Sequence, residues 1–347
     1  MNKVEKPPRR ERPRDEVAEA ASGDAPGAVV IAVEGLWKDY GKFTALKDLN
    51  LEIGAGEIFG FIGPNGAGKS TTIKILTGLL KPSRGKAEIN GMDCASGSKE
   101  LRYQVGYMPD NFGVYEGLKV WEYLDFFCAA YRIPKQQRAE TIERVLTVTA
   151  SQRIKDFYME ALSKGMKQKA GLAKTLLHDP KVVILDEPSS GLDPRARIEM
   201  RELIKSLKLM GKTVMVSSHL LSELAEISDK IGIIEKGVLL ASGTVDQVMN
   251  TFRQELVYEL EVVGDTVRAE KALRLLEEKK FLSHVERIGA MFSFKIDSGR
   301  EADAVKILAI LVQNKLAVKS FRPVETDLED VFMAVTQQHG NENVQVE

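Results

Sequence analysis

The stretch Gly63-Pro64-Asn65-Gly66-Ala67-Gly68-Lys69-Ser70-Thr71 decides the fold. It fits the pattern G-x-x-x-x-G-K-[ST], a loop that wraps phosphate. Glycines let the backbone curl so that successive N–H groups point inward at phosphate oxygens. Lys69 carries positive charge toward the β- and γ-phosphates, and the Ser70 hydroxyl suits Mg²⁺. The flanks agree. Glu57 to Ile62 reads as a buried strand, and Thr71 to Leu76 opens a helix whose N-terminus favours an anion. Asn65, Gly66, Gly68, Lys69, Ser70 and Thr71 are therefore the expected nucleotide contacts.

A phosphate loop alone indicates only a nucleotide, so the downstream residues matter. Val182-Val183-Ile184-Leu185-Asp186-Glu187 is an apolar strand ending in two acids. An Asp at such a strand end is placed to hold Mg²⁺, directly or through water. The adjacent Glu187 is placed to polarise a water for in-line attack. Leu162-Ser163-Lys164-Gly165-Met166-Lys167-Gln168 precedes an apolar helix expected over Ala170 to Leu177. Ser163 and the N–H groups around Gly165 form a second candidate anion site there.

The composition sets limits. A chain of 347 residues with 44% hydrophobic and 29% charged residues has core material for one large domain and a smaller one. Lys+Arg 49 against Asp+Glu 50 leaves no global field that would draw nucleic acid. Cys94 and Cys128 stand far apart, which opposes a zinc site or disulfide framework and suits a reducing cytosol. No apolar run approaches the ~20 residues a bilayer span needs. Residues 1–28 read as a disordered tail, since Pro7 to Glu16 holds almost nothing that builds a core.

The first domain is expected over 29–250. Val29 to Glu34 and Asn50 to Ile53 read as strands, and residues 118–160 as mostly helical. Strands over 182–185, 213–217 and 230–234 alternate with helices over 194–210 and 221–228, as in an α/β domain. The second unit, 256–336, reads as strand 256–263, helix 267–279, strands 284–288 and 291–296, helix 301–313 and strand 318–322. That order, β-α-β-β-α-β, is the ferredoxin-like plan. A last helix is expected from Thr326, with Thr326-Asp327-Leu328-Glu329 as capping box, before a frayed 337–347.

Taken together, these motifs resemble the nucleotide-binding subunit of an ATP-binding cassette (ABC) transporter. Gly63 to Thr71 is similar to the Walker A loop, Leu162 to Met166 to the signature, and Val182 to Glu187 to Walker B. Ser189-Ser190-Gly191-Leu192-Asp193 resembles the D-loop, and Ser217-Ser218-His219 the switch-histidine loop. Tyr40 stands where the family has an aromatic residue that stacks on adenine, and a flat ring suits a base face. The resemblance implies a P-loop NTPase cassette, a RecA-like α/β core with antiparallel β and helical subdomains, followed by the small ferredoxin-like α+β domain. It implies ATP and Mg²⁺, with Glu187 as general base and His219 touching the γ-phosphate and attacking water. It also implies a head-to-tail dimer with a second copy or a paralogous cassette. ATP held by Lys69, Ser70 and Asp186 of one subunit would be completed by Ser163 and Gly165 of the other.

Two positions depart from the pattern. The signature reads LSKGM, so Lys164 and Met166 replace a Gly and a Gln. Asp110 stands where the Q-loop usually has Gln. A carboxylate can still hold Mg²⁺ or its water, but when ionised it only accepts hydrogen bonds.

The C-terminal unit resembles that of single-cassette subunits of bacterial exporters, which end like Thr326 to Phe332. The expected role is therefore an ATPase that powers a separate transmembrane permease, in the direction of export, on the cytoplasmic face of the membrane. Residues 118–135 are the expected docking surface, while Trp121, Phe126 and Phe127 within them read at least equally well as ordinary core. The rival class is a soluble cassette ATPase acting on nucleic acid or the ribosome. The short Lys69–Ser163 separation, the lack of zinc-module cysteines and the single cassette oppose it.

Overall fold

The computed structural model describes residues 28–113, 115–252, 255–297 and 301–324. The N-terminal stretch, the Thr326–Glu329 cap and residues 337–347 lie outside the described residues.

Strands β1 (Val29–Tyr40) and β2 (Phe43–Gly54) form one long antiparallel hairpin. The sequence suggested two short strands. The pairing continues because Leu36, Leu46 and Leu49 keep the buried face occupied across the register shifts at residues 33–38. This hairpin joins β4 (Arg84–Ile89) and β5 (Met92–Asp93) in a sheet of order β2-β1-β4-β5.

The second sheet has the order β10-β9-β3-β8-β7-β6. Its strands are β3 (Ile58–Ile62), β6 (Val105–Met108), β7 (Val182–Asp186), β8 (Thr213–Ser218), β9 (Lys230–Glu235) and β10 (Val238–Gly243). All neighbouring pairs from β9 to β6 are parallel, and β10 runs antiparallel to β9. Every residue of β3, β7 and β8 is buried, as expected of strands covered on both faces. Phe59 and Phe61 are 0% exposed, and truncating either to Ala would cost ~3–5 kcal/mol. Because β3, β8 and β7 are adjacent and parallel, the loops that follow them leave the same edge of the sheet. Those loops begin at Gly63, His219 and Glu187.

Helix α1 (Lys69–Leu76) follows the phosphate-type loop, and α2 (Lys99–Gln104) precedes β6. The region expected to be mostly helical contains α3 (Val120–Ala130) and α4 (Lys135–Val148). Two short 3-10 turns, Gln152–Ile154 and Met159–Ala161, then lead to Ser163, and a bridge between Lys119 and Tyr158 ties this stretch back. Helix α5 is Lys164–Thr175, six residues earlier at its start than the apolar run suggested. Ser163 caps it by accepting from Met166 N at 3.3 Å, so its polar first turn is helical too. Then come α6 (Pro194–Leu209), α7 (Leu221–Ala225) and α8 (Val245–Phe252). Sequence reading did not resolve β4, β5, α2, β6, β10 or α8, each of eight residues or fewer.

The C-terminal unit contains β11 (Glu255–Val263), α9 (Thr266–Glu278), β12 (Ser283–Ile288), β13 (Met291–Asp297), α10 (Glu301–Gln313) and β14 (Ala317–Pro323). Its sheet is antiparallel with order β12-β13-β11-β14. Alternate residues Tyr258, Leu260 and Val262 of β11 face Phe292, Phe294 and Ile296 of β13 in a separate core with Leu273, Leu276, Ile307 and Leu311.

Candidate functional site

The loop 63–68 is shaped by its neighbours. A side chain at Gly63 would collide with the Ile234 carbonyl oxygen. Gly68 caps α1 at φ 116°, a conformation L side chains rarely adopt, and makes no side-chain cap. The first-turn N–H groups of Lys69, Ser70 and Thr71 have no carbonyl within the helix to bond, which leaves them for an anion. Asn65, Gly66 and Ser70 are exposed, and Thr71 is half-buried. Thr72 turns inward, its hydroxyl donating to the Gly68 carbonyl at 3.1 Å.

Lys69 is 5% exposed. Its ammonium donates to the Gly63 carbonyl at 2.5 Å and to the Pro64 carbonyl at 3.3 Å. It also lies 3.3 Å from Glu187 Oε1, which has no hydrogen bond of its own. The other carboxylate oxygen, Glu187 Oε2, is 2.8 Å from His219 Nδ1. The Lys, the Glu and the His named from sequence thus meet at one carboxylate.

Glu187 sits at φ 51°, uncommon for a residue with a side chain. Ser217 holds it there by accepting from Glu187 N at 3.0 Å, while the Ser217 hydroxyl donates to Asp186 Oδ1 at 2.6 Å. Asp186 is 4% exposed and Ser217 0%. Sequence reading placed Ser217 only as part of the switch-type loop. Its role follows from the parallel pairing of Asp186 with Ser217, which no local pattern displays.

Asp110 is half-buried just beyond β6 and accepts from Asn111 Nδ2 at 3.1 Å. Burial raises its pKa, and Asp186 and Glu187 raise it further; Lys164 and His219 pull it down. Asp110 therefore belongs to the same acidic edge. The Tyr107 hydroxyl is pushed up to about 12 by burial and by Asp186 and Asp110.

Among the described residues no cluster of three or more His, Cys, Asp or Glu is positioned to hold a metal by itself. Mg²⁺ keeps several waters and binds through one or two carboxylates plus phosphate oxygens. Asp186, Ser70 and Asp110 are the fitting donors at this edge.

The other named residues lie elsewhere. Tyr40 ends the first hairpin strand, 48% exposed, with Lys38 Nζ 5.2 Å from its ring centre. The hairpin reaches the loop through β2, since a side chain at Gly68 would meet Leu46 Cδ2 at 2.8 Å. Ser163 and Gly165 line a cavity of about 310 Å³ with Arg153, Lys169, Asp193 and Glu199, and no residue of loop 63–71 lines it. Around α3, Phe127 packs partly buried on Tyr123, ring centres 5.0 Å apart. Trp121 and Phe126 are 37% and 51% exposed.

Residues 46–190 match the family described as ABC transporter, and residues 243–336 the C-terminal domain of ATP-binding proteins described as DrrA1-3-like. The bacitracin transport ATP-binding protein of Bacillus licheniformis is 34% identical over 311 residues, covering 88% of this chain and 97% of that protein. The linearmycin resistance ATP-binding protein of Bacillus subtilis is 31% identical over 316 residues, covering 88% and 98%. An uncharacterized ABC transporter ATP-binding protein of Synechocystis is 41% identical over 217 residues, 62% of this chain, and the chain spans only 60% of that relative's length. A bacterial ABC transporter cassette solved as a dimer superposes with a TM-score of 0.57 at 26% identity, covering 62% of this chain and 98% of that one. With its cassette fold and phosphate-type loop, this chain belongs to the ATP-binding proteins of ABC transporters.

Proposed function

We propose that this chain is the ATP-hydrolysing subunit that drives transport through a separate transmembrane permease. The observation that carries the reading is the position of Glu187 between Lys69 and His219. Lys69 and the N–H groups of the loop bind the phosphates, with Asn65, Gly66, Gly68, Ser70 and Thr71 around them. Tyr40 stacks on the base. Ser70 and Asp186, with Asp110, would hold Mg²⁺, which would supply charge neutralisation to the phosphates. Glu187 takes the proton of the attacking water, and His219 holds that carboxylate in place through Nδ1.

Ser163 and Gly165 serve the nucleotide of a second copy or of a paralogous cassette, arranged head to tail. Their separate cavity supports this, because they do not share a pocket with their own loop. The working units are a tail over 1–28, a cassette over 29–250 and an accessory domain over 256–336 that stabilises or regulates the dimer. The exposed Trp121 and Phe126 on α3 supply the apolar surface for the permease. Among the described residues no helix is long and apolar enough to cross a membrane, which fits a subunit docked peripherally on the cytoplasmic face. Relatives named for bacitracin transport and linearmycin resistance support export.

The test is ATP turnover by the purified chain. Wild type should release phosphate with Mg²⁺, and Lys69→Ala should not, since no other basic side chain sits in the loop. Turnover by Lys69→Ala equal to wild type would sink the assignment.

A further inference from the structure

Lys174, in the last turn of α5, is half-buried. Its ammonium lies 5.3 Å from the ring centre of Phe127 on α3 and 5.7 Å from that of Phe112, beyond β6. Two ring faces attract a cation but leave its N–H donors without a strong acceptor. Among the described residues Lys174 makes no hydrogen bond and no ion pair. Other enclosed lysines of the cassette are matched, Lys169 with Glu199 at 2.7 Å and Lys212 with Asp179 at 2.8 Å.

The nearby groups that could serve Lys174 are engaged elsewhere. Of the two α3 carboxylates, Glu122 accepts from Lys119 N at 2.8 Å and Asp125 from Arg138 Nη1 at 3.5 Å. At the end of α5, Arg144 donates to the Leu176 and Leu177 carbonyls at 3.4 and 3.3 Å. Lys174 is therefore not needed to cap its own helix.

The rings around it are held firmly. Gly171, one turn before Lys174 on the same face, seats the Phe112 ring, since an added Cβ would stand 2.6 Å from Cε1 and Cζ. Thr175 Oγ1 donates to the Tyr107 carbonyl at 3.4 Å, which ties that face of α5 to β6. Phe127 meets Tyr123 and Phe126 edge-on, with ring centres 5.0 and 5.2 Å apart. Tyr115 closes on Phe126 at 5.5 Å. Tyr115 and Phe126 are nevertheless 49% and 51% exposed. The frame thus presents an aromatic surface to solvent beside an unpaired ammonium, and exposed apolar patches of this kind mark interaction sites.

Apolar docking by itself gives no reason for a lysine here. Burial lowers its pKa, so the charged form is disfavoured as the chain stands. A carboxylate arriving from outside would restore the balance. Enclosed by rings, such a pair would be sensitive to loss of either member.

We propose that Lys174 is a specificity-determining residue for the permease, receiving a carboxylate from a short cytoplasmic segment whose neighbouring apolar side chains seat on Tyr115 and Phe126. This rests on the transport-subunit reading above. An anionic lipid head group would bring the charge without apolar side chains beside it.

The test is co-sedimentation of the full chain with inverted membrane vesicles that carry co-expressed permease. Vesicles of phosphatidylethanolamine and phosphatidylglycerol alone run in parallel. Lys174→Met keeps the length and the ring contacts and removes the charge. It should weaken binding to permease vesicles at least about 10-fold, the scale of a truncated buried charge pair. Lys174→Arg, which keeps the charge, should retain most of the binding. ATP turnover of the free chain should stay within about twofold of wild type in both. The urea midpoint of Lys174→Met should equal or exceed that of wild type, because an unpaired enclosed charge is gone. Lys174→Glu should lose binding, and an acid-to-lysine exchange in one permease cytoplasmic loop should restore it. Wild-type binding by Lys174→Met, a lowered midpoint, equal binding to the lipid-only vesicles, or no restoring exchange would overturn the proposal. If wild type lacks turnover, or does not bind the permease vesicles, the subunit reading itself fails, and that outcome is distinct.

Discussion

Lys69 Nζ lies 3.3 Å from Glu187 Oε1, so the cation of the phosphate loop neutralises the carboxylate at the end of β7. Both side chains are largely buried, at 6% and 13% exposure. The lysine's remaining donors go to the Gly63 and Pro64 carbonyls. In the function proposed above, a phosphate entering the loop would compete with Glu187 for the same ammonium and leave the carboxylate free to accept a proton.

Glu187→Gln should therefore bind ATP but not turn it over. An amide of the same shape cannot take the proton of water at neutral pH, and it no longer attracts Lys69. Gel filtration with ATP and Mg²⁺ should show a dimer that persists, and phosphate release should fall by at least about 100-fold, the scale of a lost general base. Normal turnover would remove Glu187 from that role.

Ser217→Ala removes one hydroxyl that serves two buried groups, Asp186 Oδ1 and Glu187 N. Leaving such groups unpaired costs ~1–3 kcal/mol each. The variant should show a lower urea midpoint and reduced turnover, because Glu187 loses the contact that holds its left-handed backbone. An unchanged midpoint together with unchanged kcat would show that the bridge is dispensable.

His178 predicts a pH dependence of stability away from the site. Burial lowers its pKa from 6.5 to about 4, outweighing the hydrogen bond to the Val105 carbonyl. The unfolded chain binds a proton near 6.5 and the folded chain only near 4. Between those values the unfolded state holds more protons, so stability rises with pH there. The contribution is complete above about 6.5 and is lost as pH falls toward 4. Urea midpoints at pH 7 and pH 5 should differ more for wild type than for His178→Phe, which keeps the stack on Tyr131 at 4.1 Å. Equal differences would mean that His178 does not govern the acid limb.

Trp121→Ala and Phe126→Ala should leave ATP turnover of the isolated chain within about twofold of wild type, as expected of exposed positions distant from the chemistry. Both should reduce co-purification with the membrane fraction when the permease is co-expressed. Retention at wild-type levels in the double variant would move the docking surface elsewhere.

Much of the cassette was legible because its chemistry is local. Gly63 to Thr71 carries its own backbone freedom, charge and helix start, and Val182 to Glu187 carries a buried strand with its terminal acids. The C-terminal order β-α-β-β-α-β was readable from period and turn residues alone. The start of α5 was legible in its Ser163 cap but not in its apolar run, which begins six residues later at Ala170.

What the sequence by itself determined is which residues can bind phosphate, hold Mg²⁺ or take a proton, since those are properties of residue type and near-neighbour spacing. Only the tertiary structure decided which of them meet. The parallel order β3-β8-β7 brings Lys69, Ser217 and Glu187 to one edge, although Lys69 lies 118 residues from Glu187 and 148 from Ser217. It also turns Lys164 onto Gly191. Such contacts depend on sheet order and helix facing, which arise from burying the core as a whole and leave no periodic trace in the chain.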